Sequence, residues 1–410
     1  MGHREINLTP DEPTTRRTTS VRLSPTYQGV AVADIEGFCN APFEKLADVL
    51  SATLDNGGDL GASVAITVEG EVVADFWGGW ADAARTTPWQ RDTIVNVWST
   101  TKTMTSLAAL VLVDRGLLDV DAPVSRYWPE FAQNGKADIL VRHLMSHTSG
   151  VSGWEQPVVQ DDVYDLEKST SMLAAQPPWW EPGSASGYHA INQGHLVGEV
   201  VRRVSGKSLG TFFADEIAAP LGADFHIGLA PEHDSRISPV IPPPPLPFDL
   251  ASLDQTSPMF KTFTGPPVDA NYANTEAWRR AEIGAANGHG NARSVARIQA
   301  IVANDGTIDG VKLLSPSTID RIFEGQADGT DLVLGLPLKF GIGYALPQPD
   351  TLPYIPNADR LCFWGGWGGS MIIVDIGRRM TLAYMMNQMA PGIIGGPTAA
   401  ELITATYTAL

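Results

Sequence analysis

The sequence predicts an α/β fold of the α+β type: an antiparallel sheet flanked by helices, with a mostly helical second domain. Three observations predict it: a β-hairpin pattern near the start, another near the end, and helical periodicity over most of the residues between. The early hairpin pairs Gly61-Ala62-Ser63-Val64-Ala65-Ile66-Thr67-Val68 with Glu71-Val72-Val73-Ala74-Asp75-Phe76-Trp77 across the turn Glu69-Gly70. Both runs are rich in β-branched residues. The apolar stretch Leu107-Ala108-Ala109-Leu110-Val111-Leu112-Val113 then reads as a buried helix that stops at Arg115-Gly116, a basic residue and a C-terminal glycine. Further helices are expected from Asn192 to Ser205, Leu209 to Ile217 and Ala292 to Asn304, the last ending at Asp305-Gly306. Pro239 to Pro247, with its run Pro242-Pro243-Pro244-Pro245, must be a polyproline-like loop. The late hairpin joins Ser370-Met371-Ile372-Ile373-Val374-Asp375 to Met380-Thr381-Leu382-Ala383-Tyr384-Met385-Met386 through Gly377-Arg378-Arg379, and a helix from Thr398 to Thr408 closes the chain. The sheet is therefore assembled from both ends. The expected organisation is a poorly ordered or surface-draped leader over 1–33, a discontinuous sheet domain over 34–110 and 290–410, and a helical domain over 111–289.

Composition narrows the partners. With 43% hydrophobic residues in 410, the chain can bury a large core. It carries 28 basic against 46 acidic residues, a net charge of −18, and no basic run longer than Arg16-Arg17 or Arg202-Arg203. Nucleic acid and anionic membrane are thus poor partners. No segment reaches the ~18 apolar residues of a membrane helix, and the polar, Thr- and Pro-rich start lacks the apolar run of a signal peptide. A cytoplasmic protein is expected, with self-association left open. Cys39 and Cys362 cannot form a framework, and a reducing cytoplasm disfavours a bond between them. No Cys/His cluster has zinc spacing, so no metal and no other cofactor is expected.

The chemistry concentrates in Ser99-Thr100-Thr101-Lys102, the one Ser-x-x-Lys in the chain, placed where the buried helix should begin. Residues three apart share a helix face, so the Lys102 amine can take the Ser99 proton as the serine attacks a carbonyl, an activated nucleophile without histidine. The free N–H groups and positive end of the helix favour a developing oxyanion and push Lys102 toward its neutral form. Pro182-Gly183-Ser184-Ala185-Ser186-Gly187-Tyr188 is a turn-rich segment that delivers one tyrosine ahead of a helix. Beside a lysine, Tyr188 can relay a proton to the leaving group; taken alone it reads as a half-buried structural residue. Trp364-Gly365-Gly366-Trp367-Gly368-Gly369 precedes a late strand, where glycines permit close backbone approach. It is either a loose turn or a loop whose Trp367 N–H joins that of Ser99 in an oxyanion hole. Gly206-Lys207-Ser208-Leu209-Gly210 matches the Gly-x-Ser-x-Gly elbow, but a helix precedes it where a strand is required, so Ser208 reads as a helix cap. His143 and His147 lack a third metal ligand. His189, His195 and His289 are candidate pocket residues, with surface or core positions as the plainer account.

Together these motifs resemble the serine β-lactamase and penicillin-binding-protein superfamily, and most of all its family VIII carboxylesterases, which are similar to class C β-lactamases. The likeness runs from about Ile35 to the end and includes Asp75-Phe76-Trp77-Gly78-Gly79, Val141 to Gly150, Ser205 to Leu209, Phe340-Gly341-Ile342-Gly343-Tyr344 and Asn287 to Arg297. The resemblance implies Ser99 as nucleophile, Lys102 as its base, Tyr188 as second base or proton relay, and the Ser99 and Trp367 N–H groups as the oxyanion hole. It also implies a β-lactamase-like fold. Two departures stand out. Tyr-x-Asn becomes Tyr188-His189-Ala190, and Lys-Thr-Gly becomes Trp364-Gly365-Gly366, which removes the cation that would pair with a β-lactam carboxylate. Both favour a small neutral ester, short-chain or compact aromatic, over an antibiotic. An acyltransferase, an amidase, a weak β-lactamase and an inactive binding protein are the alternatives. Trp364, Gly365, Gly366, Trp98, Trp154, Trp180 and His189 are the expected substrate contacts, an aromatic and water-poor lining.

Overall fold

The computed structural model describes residues 18–20, 26–27, 30–31, 35–245 and 252–410. Its framework is a ten-stranded sheet built from β1 (Thr18–Ser20), β2 (Ile35–Asn40), β3 (Gly61–Val68), β4 (Glu71–Gly79), β5 (Ala327–Thr330), β6 (Pro337–Phe340), β7 (Ala345–Leu346), β8 (Leu361–Gly365), β9 (Met371–Asp375) and β10 (Met380–Met386). The spatial order is β1-β2-β4-β3-β10-β9-β8-β7-β6-β5, every pairing antiparallel. Both hairpins form where the alternation places them. The early one turns on Glu69 and Gly70, both at positive φ (53° and 84°), the backbone twist that two-residue hairpin turns favour. The seam between the chain's two ends is β3–β10, in register from Val68↔Met380 to Ala62↔Met386.

Helices α1 (Glu44–Asp55), α2 (Thr101–Asp114), α3 (Leu166–Ala175), α4 (Gln193–Ser205), α5 (Pro258–Thr264), α6 (Ala292–Ala303) and α7 (Pro397–Thr408) complete the frame. The sheet is covered on both faces, because side chains alternate along a strand. Ser63, Ala65, Thr67, Thr381 and Ala383 are small and let α6 settle close. The Ala292 N–H donates to Ser63 Oγ (3.2 Å), and Thr381 Oγ1 donates to the Ala296 carbonyl (3.0 Å). On the other face the Tyr384 hydroxyl donates to Asp59 (2.5 Å), which lies beside Thr53 of α1 and Thr398 of α7. Helix α2 has no solvent face: it is buried from Thr101 to Leu112 and apolar from Leu107 to Val113.

The boundary at residue 110 falls inside α2, which runs unbroken to Asp114 and touches both α4 and Gln299 of α6. A central helix that has no solvent face cannot be a linker. A second sheet of Phe225–His226, His289–Gly290, Ile94–Asn96 and Ile237–Ser238 likewise joins the two parts. In the leader, Thr18–Ser20 pairs with β2 as an edge strand. The Pro-rich stretch is irregular at Pro242–Pro245 and is tied down just before it, the Ile241 N–H donating to the Asn387 carbonyl; 246–247 lie outside the described residues. Cys39 in β2 and Cys362 in β8 are free buried thiols. Four strands lie between theirs, so they sit roughly 24 Å apart at ~4.8 Å per strand, beyond disulfide reach. Among the described residues no helix is long and apolar enough to cross a membrane.

Candidate active site

Ser99 is presented by a sharp turn. The strand Ile94–Asn96 ends, a 3₁₀ turn over Trp98–Thr100 follows, and α2 begins at Thr101. Trp98 sits in the left-handed region at φ 48°, a conformation that costs a bulky residue about 1–3 kcal/mol and persists only where neighbours enforce it. Its neighbours do so. The Trp98 indole lies edge-on against Trp367 (5.1 Å) and tilted against Trp278 (5.5 Å), while Val97 donates its N–H to Gly288 and accepts from Ser370 Oγ (2.8 Å).

Lys102 is 2% exposed, and its Nζ lies 3.1 Å from Ser99 Oγ, 2.7 Å from the Ala190 carbonyl and 3.0 Å from the Ala285 carbonyl. Among the described residues no carboxylate pairs with it. Burial holds its pKa well below the usual lysine value. A neutral amine has two protons and one lone pair. The two carbonyls accept the protons, which leaves the lone pair facing the serine.

Tyr188 is 3% exposed, with Lys102 Nζ 4.6 Å from its ring centroid. Its hydroxyl lies beside Ser99 and accepts from Trp364 Nε1 (3.3 Å). Burial raises the phenol above its ordinary value. His147 packs on the same ring (4.9 Å) and accepts the His189 N–H at Nδ1 (3.1 Å). Burial keeps His147 neutral and pushes His189 down to about 3.

The Trp-Gly-Gly segment ends β8 and turns back into β9. A Cβ at Gly366 would lie 2.4 Å from the Val97 carbonyl oxygen and 2.3 Å from Ser370 Oγ, so only glycine lets this strand end close on the Ser99 turn. Gly366 donates its N–H to Ser370, and Gly369 donates to Gly366. Among the described residues the N–H groups of Ser99 and Trp367 make no backbone hydrogen bond, and both residues line one pocket.

That pocket is small, a cavity of about 80 Å³. Its wall is Trp98, Ser99, Tyr188, Ala190, Ile191, Phe263, Val268, Ala286, Trp367 and Ile393, without a charged side chain. Of the expected contacts, Trp98 is in the wall. Trp364 stands behind Tyr188, Gly366 lies against the Ser99 turn, and Gly365 lies against Ser370 and Met371. Trp154, Trp180 and His189 are not in the wall. Trp154 is core, its Nε1 donating to the Ser169 carbonyl of α3 (3.1 Å). Trp180 Nε1 donates to Ala185 (3.0 Å) and its ring covers Gly187. His189 braces the Tyr188 loop from behind: Nδ1–H donates to the Gly187 carbonyl (2.6 Å), and Nε2 accepts from Ser149 Oγ (2.6 Å). His195 and His289 are buried away from the wall. Ser208 caps the helix Leu209–Phe213 by accepting the Thr211 N–H (3.2 Å). Ile191, Phe263, Val268, Ala286 and Ile393 were not anticipated, nor the carbonyls of Ala190 and Ala285.

The beta-lactamase family model matches residues 46–402. The esterase/beta-lactamase LipL of Mycobacterium tuberculosis (strain ATCC 25618 / H37Rv) is 33% identical over 349 residues, covering 82% of this chain and 78% of that protein. A crystal structure of a family VIII carboxylesterase superposes with a TM-score of 0.86 at 40% identity, covering 92% of this chain and 100% of the other. A penicillin-binding protein homolog from Caulobacter crescentus superposes at 0.85 with 35% identity and the same coverage. With a Ser-x-x-Lys pair at the head of a buried helix and a family match over most of its length, the chain belongs to the beta-lactamase family and is a serine hydrolase of that fold.

Proposed function

We propose that the protein is a carboxylesterase that hydrolyses small neutral esters, short-chain or compact aromatic, through an acyl-enzyme on Ser99. The observation that carries this reading is the Ser99–Lys102 pair opening into a pocket with no charged side chain in its wall. Lys102, neutral and with its lone pair toward Ser99, takes the hydroxyl proton as Oγ bonds to the ester carbonyl carbon. The carbonyl oxygen becomes an oxyanion, which the N–H groups of Ser99 and Trp367 receive. The ester C–O bond breaks and the departing alkoxide takes a proton from the Tyr188 hydroxyl, whose raised pKa suits a donor better than a base. Lys102 returns its proton to Tyr188, and water repeats the sequence on the acyl-enzyme. Trp364 stands where a cation would meet a β-lactam carboxylate, which supports a neutral substrate.

Labelling tests the reading. A fluorophosphonate probe should add one mass equivalent at Ser99 and abolish p-nitrophenyl butyrate hydrolysis, and Ser99→Ala should neither label nor turn over while Ser208→Ala does both. An active Ser99→Ala protein would refute the assignment.

A further inference from the structure

Tyr188 sits on an irregular loop, and no regular element fixes its height above Ser99. What holds it comes from the hairpin loop 331–336 that joins β5 to β6. Asp331 is fully buried, and its Oδ1 accepts three backbone N–H groups: Tyr188 (3.0 Å), Val333 (2.9 Å) and Leu334 (2.9 Å). The last two are a local Asx-type turn, the usual use of an aspartate at a bend. The bond to Tyr188 is different. It spans 143 residues and reaches the backbone of the residue whose hydroxyl faces Ser99. A second tie, the Leu332 N–H to the Ser186 carbonyl (2.8 Å), runs beside it.

We infer that Asp331 is the positioning residue for Tyr188, its carboxyl group clamping the tyrosine backbone so that the phenol meets the leaving-group oxygen of the ester. The inference rests on the esterase reading and on Tyr188 as proton donor. Misplacing a reacting group by about 1 Å can cost on the order of a hundredfold. The groups facing Tyr188 are Lys102 of α2 above the ring, His147 and Trp364 against it, and Asp331 at its backbone. Lys102 serves the nucleophile and is untouched by the clamp, so loss of Asp331 separates leaving-group protonation from nucleophilic attack.

That separation is measurable with two esters of one acid. Ethyl butyrate expels an alkoxide that needs a proton in the transition state, whereas p-nitrophenyl butyrate expels a stable phenolate that does not. The quantity is the ratio of kcat/KM for ethyl butyrate to that for p-nitrophenyl butyrate in one preparation, from which the folded fraction cancels. Asp331→Ser keeps a hydroxyl for the local turn but is too short for Tyr188, and should lower the ratio about 10- to 100-fold. Asp331→Asn keeps the acceptor at Oδ1 and should stay within about threefold of wild type. Tyr188→Phe should lower the ratio as well, and adding Asp331→Ser to it should lower the ratio no further. An unchanged ratio in Asp331→Ser, or an equal drop in Asp331→Asn, or an additive double variant overturns the inference while Ser99-dependent turnover of p-nitrophenyl butyrate leaves the esterase reading standing. Absence of any Ser99-dependent ester turnover overturns both.

Discussion

In the proposed mechanism Lys102 is the base, and its buried environment sets a pH dependence. A lysine at its ordinary pKa of 10.5 would be neutral in only about one molecule in a thousand near pH 7.5. Burial without a counter-charge lowers that value, so the neutral, active form is populated nearer neutrality. Activity should therefore be lost as pH falls through the lowered Lys102 value and be retained above it, with no acid limb from His147 or His189, which burial already holds neutral. Lys102→Arg, which cannot give up its proton, should lower kcat/KM for p-nitrophenyl butyrate at least about a thousandfold from roughly pH 5 to 9. A variant within tenfold of wild type would show that another group is the base. On the proposed mechanism, in which the phenol moves a proton, Tyr188→Phe should lower kcat for ethyl butyrate by about two to four orders of magnitude with little change in KM. Near wild-type turnover would return Tyr188 to a packing role.

At the scale of elements, the site depends on the end of β8 coming down on the Ser99 turn. Gly366→Ala must push its methyl group into the Val97 carbonyl and Ser370 Oγ, backbone and side chain that together hold Trp98 in its left-handed conformation. It should cost about a hundredfold or more in kcat/KM, whereas Gly325→Ala, which meets nothing within 4 Å, should leave activity unchanged. Steady-state assays of the two purified variants check this, and equal activities would contradict it. The elements most readable from sequence are those with a period. Both hairpins, the buried α2 and the Ser99–Lys102 pair follow from side-chain alternation or from the three-residue spacing of a helix face. The site's remaining parts carry no such signal. The carbonyls of Ala190 and Ala285 that orient Lys102 are backbone atoms on alanines, and Phe263, Val268 and Ile393 reach the pocket from segments far apart in the chain. Trp154 and Trp180 mislead for the converse reason: tryptophans next to a motif can equally be the layer that supports it, and here they are.

For the whole molecule, a sheet sewn together from the chain's two ends brings Ser99, presented between the early hairpin and α2, against the Trp364–Gly369 loop of the late strands, while the helical insertion supplies Tyr188 and Phe263. The pocket where these segments meet is apolar and has no charged side chain in its wall to hold a carboxylate. A β-lactam must desolvate its carboxylate there without a charge-assisted hydrogen bond in return, a loss of about 1.5–3 kcal/mol or roughly 10- to 150-fold in binding. A neutral ester escapes that loss and gains the aromatic contact. The most direct measurement is kcat/KM for p-nitrophenyl butyrate and for nitrocefin on a single preparation: the ester value should exceed the nitrocefin value by at least about tenfold, and a nitrocefin value equal to or above the ester value would contradict the account.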